Sequence, residues 1–169
     1  LYGELGLPTD CSRAALAAYP TRPWSAWRSA HALARAKGGV ELADVAAGFK
    51  RAGNILVQAA KELGYSGATA LDEKKLVQQE ERSLAAMLAE SGSRVAEAVR
   101  GGDFDTAIAI VARFREPIDR FFDGVMVLSD QVELRDNRLA LLQQLVGVFG
   151  LVGDLSLIQT EPEGSAPVP

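Results

Sequence analysis

A sustained apolar stripe between residues 41 and 63 constrains this chain more than any other feature. Apolar residues recur there at Leu42, Val45, Ala46, Phe49, Ala52, Gly53, Leu56, Ala59, Ala60 and Leu63. A spacing of three and four positions places them on one face of an α-helix. Gly64 follows where helices commonly end in a left-handed glycine. The segment therefore predicts a long amphipathic helix that packs one side against a core.

The same helical period covers most of the remaining sequence. It predicts further helices over residues 10–19, 24–36, 73–100, 103–114, 117–124 and 131–152, with a break at residues 91–93 (Ser-Gly-Ser). Residues 125–128 are an apolar connector, which we expect to be extended. Segments that alternate apolar and polar residues, as half-buried strands do, do not recur. We therefore expect an all-α protein, a bundle of about six or seven helices.

Several acidic residues stand where helices are predicted to begin. Asp10, Asp72 and Asp103 each precede a helical segment and are predicted to act as N-caps. Asp130 and Glu133 have the three-residue spacing of a capping box. These caps would set the boundaries of the bundle's helices.

The overall composition indicates an ordinary globular domain. The chain has 169 residues, 48% of them hydrophobic, a net charge of −4 and a pI of about 5.1. No run of about 18 apolar residues is present. The chain begins with Leu1, and we expect it to be a piece of a longer protein. Its single cysteine, Cys11, excludes an internal disulfide, is expected to be buried, and fits a reducing compartment.

The aromatic and titratable residues do not form an active site. Trp24 and Trp27 share a helical face with the only histidine, His31, so we expect the indoles to pack and His31 to be buried or half-buried. A zinc cluster and the phosphate-binding glycine motifs are missing. Asp119 and Asp123 lie four positions apart, and we expect them to cap the helix and pair with Arg115 or Arg120.

Two sequence blocks carry a resemblance to a known family. Residues 49–56 read FKRAGNIL; residues 117–127 read PIDRFFDGVMV and are followed at residues 135–142 by RDNRLALL. Together they resemble the anticodon-binding domain at the C-terminus of the bacterial glycyl-tRNA synthetase β subunit, over about residues 42–157. The related DALR tetrapeptide is half kept, at Leu134 and Arg135.

The resemblance implies a role within a larger enzyme. That enzyme is an α2β2 heterotetramer of the cytoplasm that joins glycine to its tRNA with ATP and magnesium, and its α subunit carries the adenylation site. This domain would be non-catalytic, without a cofactor or a membrane contact. Its partners would be the anticodon stem-loop of tRNA(Gly), the rest of the β subunit and the α subunit. Its parts would be a helical extension (1–40), the anticodon-binding bundle (41–158) and a disordered tail (159–169).

The basic and amide side chains of the two blocks and of the segment between them are the candidate tRNA-binding residues: Lys50, Arg51, Asn54, Arg113, Arg115, Arg135, Asn137 and Arg138. Splayed anticodon bases are read by stacking and by hydrogen bonds to base edges, which arginine can provide. Because the whole chain is acidic, such contacts need a local basic patch and depend on salt. Alternatively, Arg138 pairs with Asp119 or Asp123 and fixes the position of the Phe-Phe segment. Phe121 and Phe122 fit the core better than a stacking role.

Three other functions stay open on the sequence alone. A protein-interaction module that docks on the α subunit or on the rest of the β subunit would show a contiguous exposed apolar patch. A convergence of Arg113, Arg115, Arg135 and Arg138 at the surface would contradict that function. An arginyl-type relative would share the fold, although residues 117–126 favour the glycyl family. An unrelated metabolic enzyme would need a catalytic constellation that the sequence lacks.

Overall fold

The computed structural model describes residues 6–67 and 70–159, with the backbone alone at Val40. The predicted disordered tail lies outside the described residues from residue 160 onward. Within the described part the chain forms seven α-helices and no strand, which confirms the all-α bundle. The helices are α1 Thr9–Ala18, α2 Pro23–Ala36, α3 Val40–Leu63, α4 Gln79–Gly101, α5 Phe104–Ala112, α6 Arg115–Gly124 and α7 Val132–Gly150, with 3₁₀ turns at Glu73–Lys75 and Leu155–Leu157.

Helices α3, α4 and α7 form the centre of the bundle. The helix α7 packs against both α3 and α4, while α5 and α6 cover the sides of α3 and α4. Three phenylalanines join these layers: the ring of Phe149 lies 5.2 Å from that of Phe114 and 6.4 Å from that of Phe49. Phe121 and Phe122 are buried too, as expected. The core therefore lies between the two sequence blocks and fixes their relative position.

Several helix ends follow from local sequence. Gly64 ends α3 with φ +67° and Gly102 ends α4 with φ +75°, conformations that residues with a Cβ rarely adopt. The Asp103 carboxylate accepts a hydrogen bond from the Thr106 N–H at 3.0 Å and caps α5, as predicted. These ends set the lengths of α3, α4 and α5.

The start of α4 differs from the prediction. Asp72 caps only the 3₁₀ turn, where it accepts from the Lys74 N–H at 3.0 Å. The helix α4 begins seven positions later, because the buried Glu81 carboxylate accepts from the N–H groups of Val77 and Gln78 at 2.6 and 2.8 Å. Glu81 therefore supplies the N-terminal acceptor that was predicted at Asp72.

The expected break in α4 at residues 91–93 is wrong. The helix is continuous from Gln79 to Gly101. Ser91 is buried, and the Cα of Gly92 faces Val148 of α7, whose methyl group would lie 3.4 Å from an added Cβ. Packing against α7 stabilises the helix there and outweighs the weak helix preference of serine and glycine.

Two other predicted caps have different roles. Asp10 lies inside the first turn of α1, after Pro8, and its carboxylate binds Lys37 at 2.8 Å and the Gln159 N–H at 2.8 Å. Glu133 does not form a capping box and pairs instead with Lys75 at 2.9 Å. Both acids link segments that are far apart in sequence.

The first two helices pack on the C-terminal end of the bundle. Tyr19 donates its hydroxyl hydrogen to the Leu151 carbonyl, and the Ser29 hydroxyl donates to the Val152 carbonyl at 2.6 Å. The Asp154 N–H donates to the Ala14 carbonyl at 2.9 Å. Cys11 is buried in this contact, as expected, and burial raises the pKa of its thiol to about 11.

Candidate nucleic-acid interface

The block at residues 49–56 lies in the middle of α3 and presents three candidate residues to solvent. Lys50, Arg51 and Asn54 are exposed, while Phe49 and Ala52 face the core. Neighbouring residues on a helix point in different directions. Lys50 and Asn54 accordingly line one groove, whereas Arg51 lines another.

Arg51 and Arg115 come together in a groove between α3 and α6. The Arg51 guanidinium lies over the Phe122 ring, 4.4 Å from its centroid. The Nε of Arg115 lies 2.6 Å from Oδ2 of Asp44, an ion pair that is not aligned as a hydrogen bond. The groove has a volume of about 270 Å³. Two guanidinium groups from separate sequence segments thus share one concave surface.

This groove holds acceptors as well as donors. Asp119 and Asp123 of α6 line it beside Asp44. The expected pairing of these two acids with Arg115 or Arg120 does not form: Arg115 pairs with Asp44, and Arg120 pairs with Glu116. Because carboxylates offset the arginine charge, the groove suits hydrogen bonding to base edges better than simple attraction of phosphate.

Lys50 and Asn54 lie on a second groove, between α1, α3 and the end of α7. Its volume is about 430 Å³, and small residues such as Ala17 and Gly150 form much of its wall. The Lys50 ammonium and the Asn54 amide provide donors, and Asp154 contributes a carboxylate. The structure therefore divides the candidates of α3 between two neighbouring surfaces.

Arg113 and Arg135 occupy more isolated positions. Arg113 is exposed at the C-terminal end of α5. The side chain of Arg135 is only 17% exposed, and its Nε donates to Asp136 at 3.1 Å. Burial, and then the Asp136 carboxylate, raise the pKa of Tyr65. Arg135 is thus partly exposed and paired with its neighbour Asp136.

Asn137 is directed into the protein. Its side-chain oxygen accepts from the Asp72 N–H at 2.8 Å, and its amide nitrogen donates to the Asp72 carbonyl at 3.0 Å. The residue is buried. Both polar ends of its amide hold the loop before α4 in place, so the structure places Asn137 away from the exposed candidate residues.

Arg138 is also buried, with 7% of its side chain exposed. Its Nε donates to the fully buried carboxylate of Glu81, Nη1 to the Met126 carbonyl at 2.8 Å, and Nη2 to the Gln78 side chain at 3.0 Å. The guanidinium of Arg138 is thus occupied by contacts within the protein, and its ion-pair partner is Glu81, so the expected pairing with Asp119 or Asp123 is wrong. The four-arginine surface cluster does not form, because Arg138 lies in the interior.

Two features of the structure were not predicted from the sequence: the buried role of Glu81 and the exposure of Trp24 and Trp27. The role of Glu81 had a signal, since it follows Gln78 by three residues, the spacing of a capping box at the start of a helix. Trp24 and Trp27 were expected to pack in the interior, yet Trp24 is 64% exposed and Trp27 is 36% exposed. Their stripe faces solvent because Ala26, Ala30 and Leu33 form the buried face of α2.

Comparison with known protein families gives a match that covers most of this chain. A model of the DALR anticodon binding domain family matches residues 45–158. The chain belongs to this family. The matched span begins within α3 and ends just after the second 3₁₀ turn, so it contains both sequence blocks and most of the residues that line the two grooves. Helices α1 and α2 precede it.

Curated relatives of this DALR domain protein are named glycine–tRNA ligase β subunits. The chain is 37% identical over 158 residues to the one from Aeromonas hydrophila and 38% identical over 158 residues to the one from Shewanella oneidensis. It is 36% identical over 159 residues to the one from Marinobacter nauticus. These alignments cover 94% of this chain and 22% of each relative. The chain thus spans about a fifth of the length of these relatives, and the family expected from the two blocks is confirmed.

Within the described residues, no helix is long and apolar enough to cross a bilayer. The same residues contain no group of three or more histidine, cysteine or acidic side chains that could hold a metal ion.

Proposed function

We propose that this chain is the tRNA anticodon-binding domain of a glycine–tRNA ligase β subunit and that it positions tRNA(Gly) for glycylation. The observation that carries the proposal is the match of residues 45–158 to the DALR anticodon binding domain, in a chain whose relatives are glycine–tRNA ligase β subunits. The domain itself does not catalyse the bond between glycine and tRNA. It binds the anticodon end of tRNA(Gly), and the end of the tRNA that reacts with glycine lies elsewhere.

The accessible candidate residues support this proposal physically. Lys50, Arg51, Asn54, Arg113 and Arg115 are exposed, and Arg135 is partly exposed. In the α3–α6 groove, Arg51 and Arg115 can donate to base edges or phosphates while the three neighbouring aspartates accept from base amino groups. The groove thus offers both hydrogen-bond partners that a splayed base requires.

The remaining assignments concern the parent enzyme. We propose that ATP-dependent chemistry with magnesium takes place outside this chain, in a cytoplasmic assembly of the β subunit with an α subunit. The partners of this domain are then the anticodon stem-loop, the rest of the β subunit and the α subunit. The similarity of this chain to glycine–tRNA ligase β subunits supports these assignments.

Alanine substitutions in the groove test the site. Arg51→Ala and Arg115→Ala are each expected to weaken binding of a tRNA(Gly) anticodon stem-loop by about 1–3 kcal/mol, as loss of a base contact does. Dissociation constants are measured by fluorescence anisotropy, and circular dichroism checks the fold. Both residues are exposed, so their removal leaves the core intact.

Arg94→Ala is the matched control, because this exposed arginine of α4 lies outside the candidate site and its loss changes the net charge equally. An unspecific electrostatic attraction predicts the same loss of affinity for all three variants. Equal losses would remove the groove from the proposed site. A loss confined to Arg51→Ala and Arg115→Ala supports it.

A further inference from the structure

A column of aromatic rings lies on the solvent side of α2. The indoles of Trp24 and Trp27 are parallel, with 5.0 Å between ring centroids and 5° between planes. The ring of His31 lies 4.3 Å from that of Trp27 on the next turn. Trp24 ends the column and is 64% exposed. A large aromatic ring left in water at the end of a preformed stack marks an interaction site.

The sequence segment that carries this column is basic, unlike the rest of the chain. Residues 11–40 contain five basic residues, Arg13, Arg22, Arg28, Arg35 and Lys37, whereas all 22 acidic residues lie outside this stretch. Arg35 is neutralised by Asp105 of α5 at 2.6 Å. The cations closest in sequence to the outer indole are thus Arg22 and Arg28.

These two arginines flank Trp24. Arg22 is exposed and stands two positions before Trp24, at the N-terminal boundary of α2. The Cζ of Arg28 lies 5.4 Å from the centroid of the Trp24 ring, and its Nη1 donates to the Gly102 carbonyl at 3.0 Å. The second contact fixes the position of the guanidinium. An aromatic plane with cations beside it is the combination that single-stranded nucleic acid requires.

We propose that this surface, the Trp24 platform (Arg22, Trp24, Trp27 and Arg28), binds single-stranded RNA. An unpaired base stacks on the outer face of Trp24, and Arg22 and Arg28 meet the neighbouring phosphates. The inference rests on the proposed function and adds a second contact with the same tRNA, on a helix that precedes the matched DALR span. A protein partner would need a broad apolar face, but here Arg22, Ser25 and Arg28 interrupt the apolar surface of α2.

Intrinsic fluorescence tests the contact directly, because the chain has only two tryptophans and both belong to the platform. The probes are the tRNA(Gly) anticodon stem-loop, a single-stranded oligoadenylate and a blunt RNA duplex. We expect saturable quenching by the stem-loop and the oligoadenylate and none by the duplex. Quenching by the stem-loop alone would identify the tRNA loop as the source of the base, and quenching by both would identify single strands in general.

A variant pair makes the test quantitative. Trp24→Ala is expected to weaken stem-loop binding about tenfold, as loss of one stacked base does, and Trp24→Phe to retain part of the affinity. Met126→Ala removes another exposed apolar side chain outside the platform and is expected to leave affinity unchanged. Since Trp24 is exposed, the variants keep their fold, which circular dichroism verifies.

The two proposals fail in different ways. If the wild-type chain binds the stem-loop by anisotropy but shows no tryptophan quenching, and Trp24→Ala binds equally well, the platform is overturned and the proposed function stands. If the wild-type chain binds no RNA in either assay, both proposals are overturned.

Discussion

The guanidinium of Arg138 joins three separate segments of the chain. It reaches Glu81 and Gln78 at the start of α4 and the Met126 carbonyl in the connector before α7. Asn137 adds two hydrogen bonds to the backbone of Asp72 in the same region. These two buried polar residues of the second block therefore fix the loops around the bundle.

Removal of Arg138 tests this structural role. Arg138→Ala leaves the fully buried Glu81 carboxylate without its charge partner. The free energy of unfolding is expected to fall by about 3–5 kcal/mol, as it does when one member of a buried pair is lost. Urea denaturation measures this change. Lys75→Ala, which breaks the exposed pair with Glu133, is the control and is expected to change stability little. A similarly small change for Arg138→Ala would contradict the role.

The roles of single residues were harder to predict from the sequence than the helices. An arginine in the first turns of a helix is equally suited to bind RNA and to pair with a distant acid. The partner of Arg138 is 57 positions away, so no local pattern identifies it. The same difficulty applies to Trp24, because the apolar face of α2 that packs is formed by small residues such as Ala26 and Ala30.

At the scale of elements, two glycines show how packing determines the helices. Gly48 of α3 lies against Ile118 of α6, where an added Cβ would come 2.5 Å from a methyl carbon. A Cβ added to Gly92 of α4 would lie 3.4 Å from a methyl carbon of Val148, which is an ordinary contact distance. The first glycine therefore permits a close approach of two helices, whereas the second is tolerated without being required.

Alanine at the two positions should have opposite effects. Gly92→Ala is expected to raise the free energy of unfolding by about 0.5–1 kcal/mol, because alanine favours the helix and fits the space. Gly48→Ala is expected to lower it by about 1–3 kcal/mol, because the added methyl overlaps Ile118. Thermal and urea unfolding of both variants measure the difference. Destabilisation by Gly92→Ala would show that α4 and α7 pack more closely than described.

The elements could be predicted where local signals and tertiary packing agree. The apolar stripe and Gly64 gave α3 almost to the residue, and Asp103 marked the start of α5. The start of α4 was misplaced because Asp72 offers the usual N-cap signal, while the actual acceptor, Glu81, lies inside the helix. The break predicted at residues 91–93 was wrong, because helix propensity does not include the packing of α4 against α7.

At the scale of the whole molecule, Asp10 connects both ends of the described chain. Its carboxylate accepts from the N–H groups of Cys11 and Gln159 and pairs with Lys37 at the end of α2. Burial raises the pKa of Asp10, but the hydrogen bonds from Lys37, Gln159 and Cys11 outweigh it and hold the pKa below its ordinary value. The charged carboxylate therefore favours the folded state.

This lowered pKa predicts a defined pH dependence. The stabilisation is present above the unfolded-state pKa of about 3.9 and is lost as the pH falls through the lower folded-state pKa. At pH 7, Asp10→Asn is expected to lower the free energy of unfolding by about 1–3 kcal/mol. The difference from wild type should shrink in acid, where the native carboxyl is protonated as well. Urea unfolding across this range measures it.

Asp130→Asn is the control for Asp10→Asn, because Asp130 is exposed. It is expected to have little effect at any pH. A difference between Asp10→Asn and wild type that stays constant from neutral to acid conditions would mean that the charge of Asp10 does not stabilise the fold.

The most direct test of anticodon recognition is the affinity of this chain for tRNA(Gly) and for the same tRNA with its anticodon replaced, at low salt and at about 0.15 M salt. We predict that the native anticodon binds more tightly and that this preference persists at the higher salt, because base-edge contacts carry it. Equal binding of the two tRNAs that disappears at the higher salt would reveal only phosphate attraction and would contradict recognition of the anticodon.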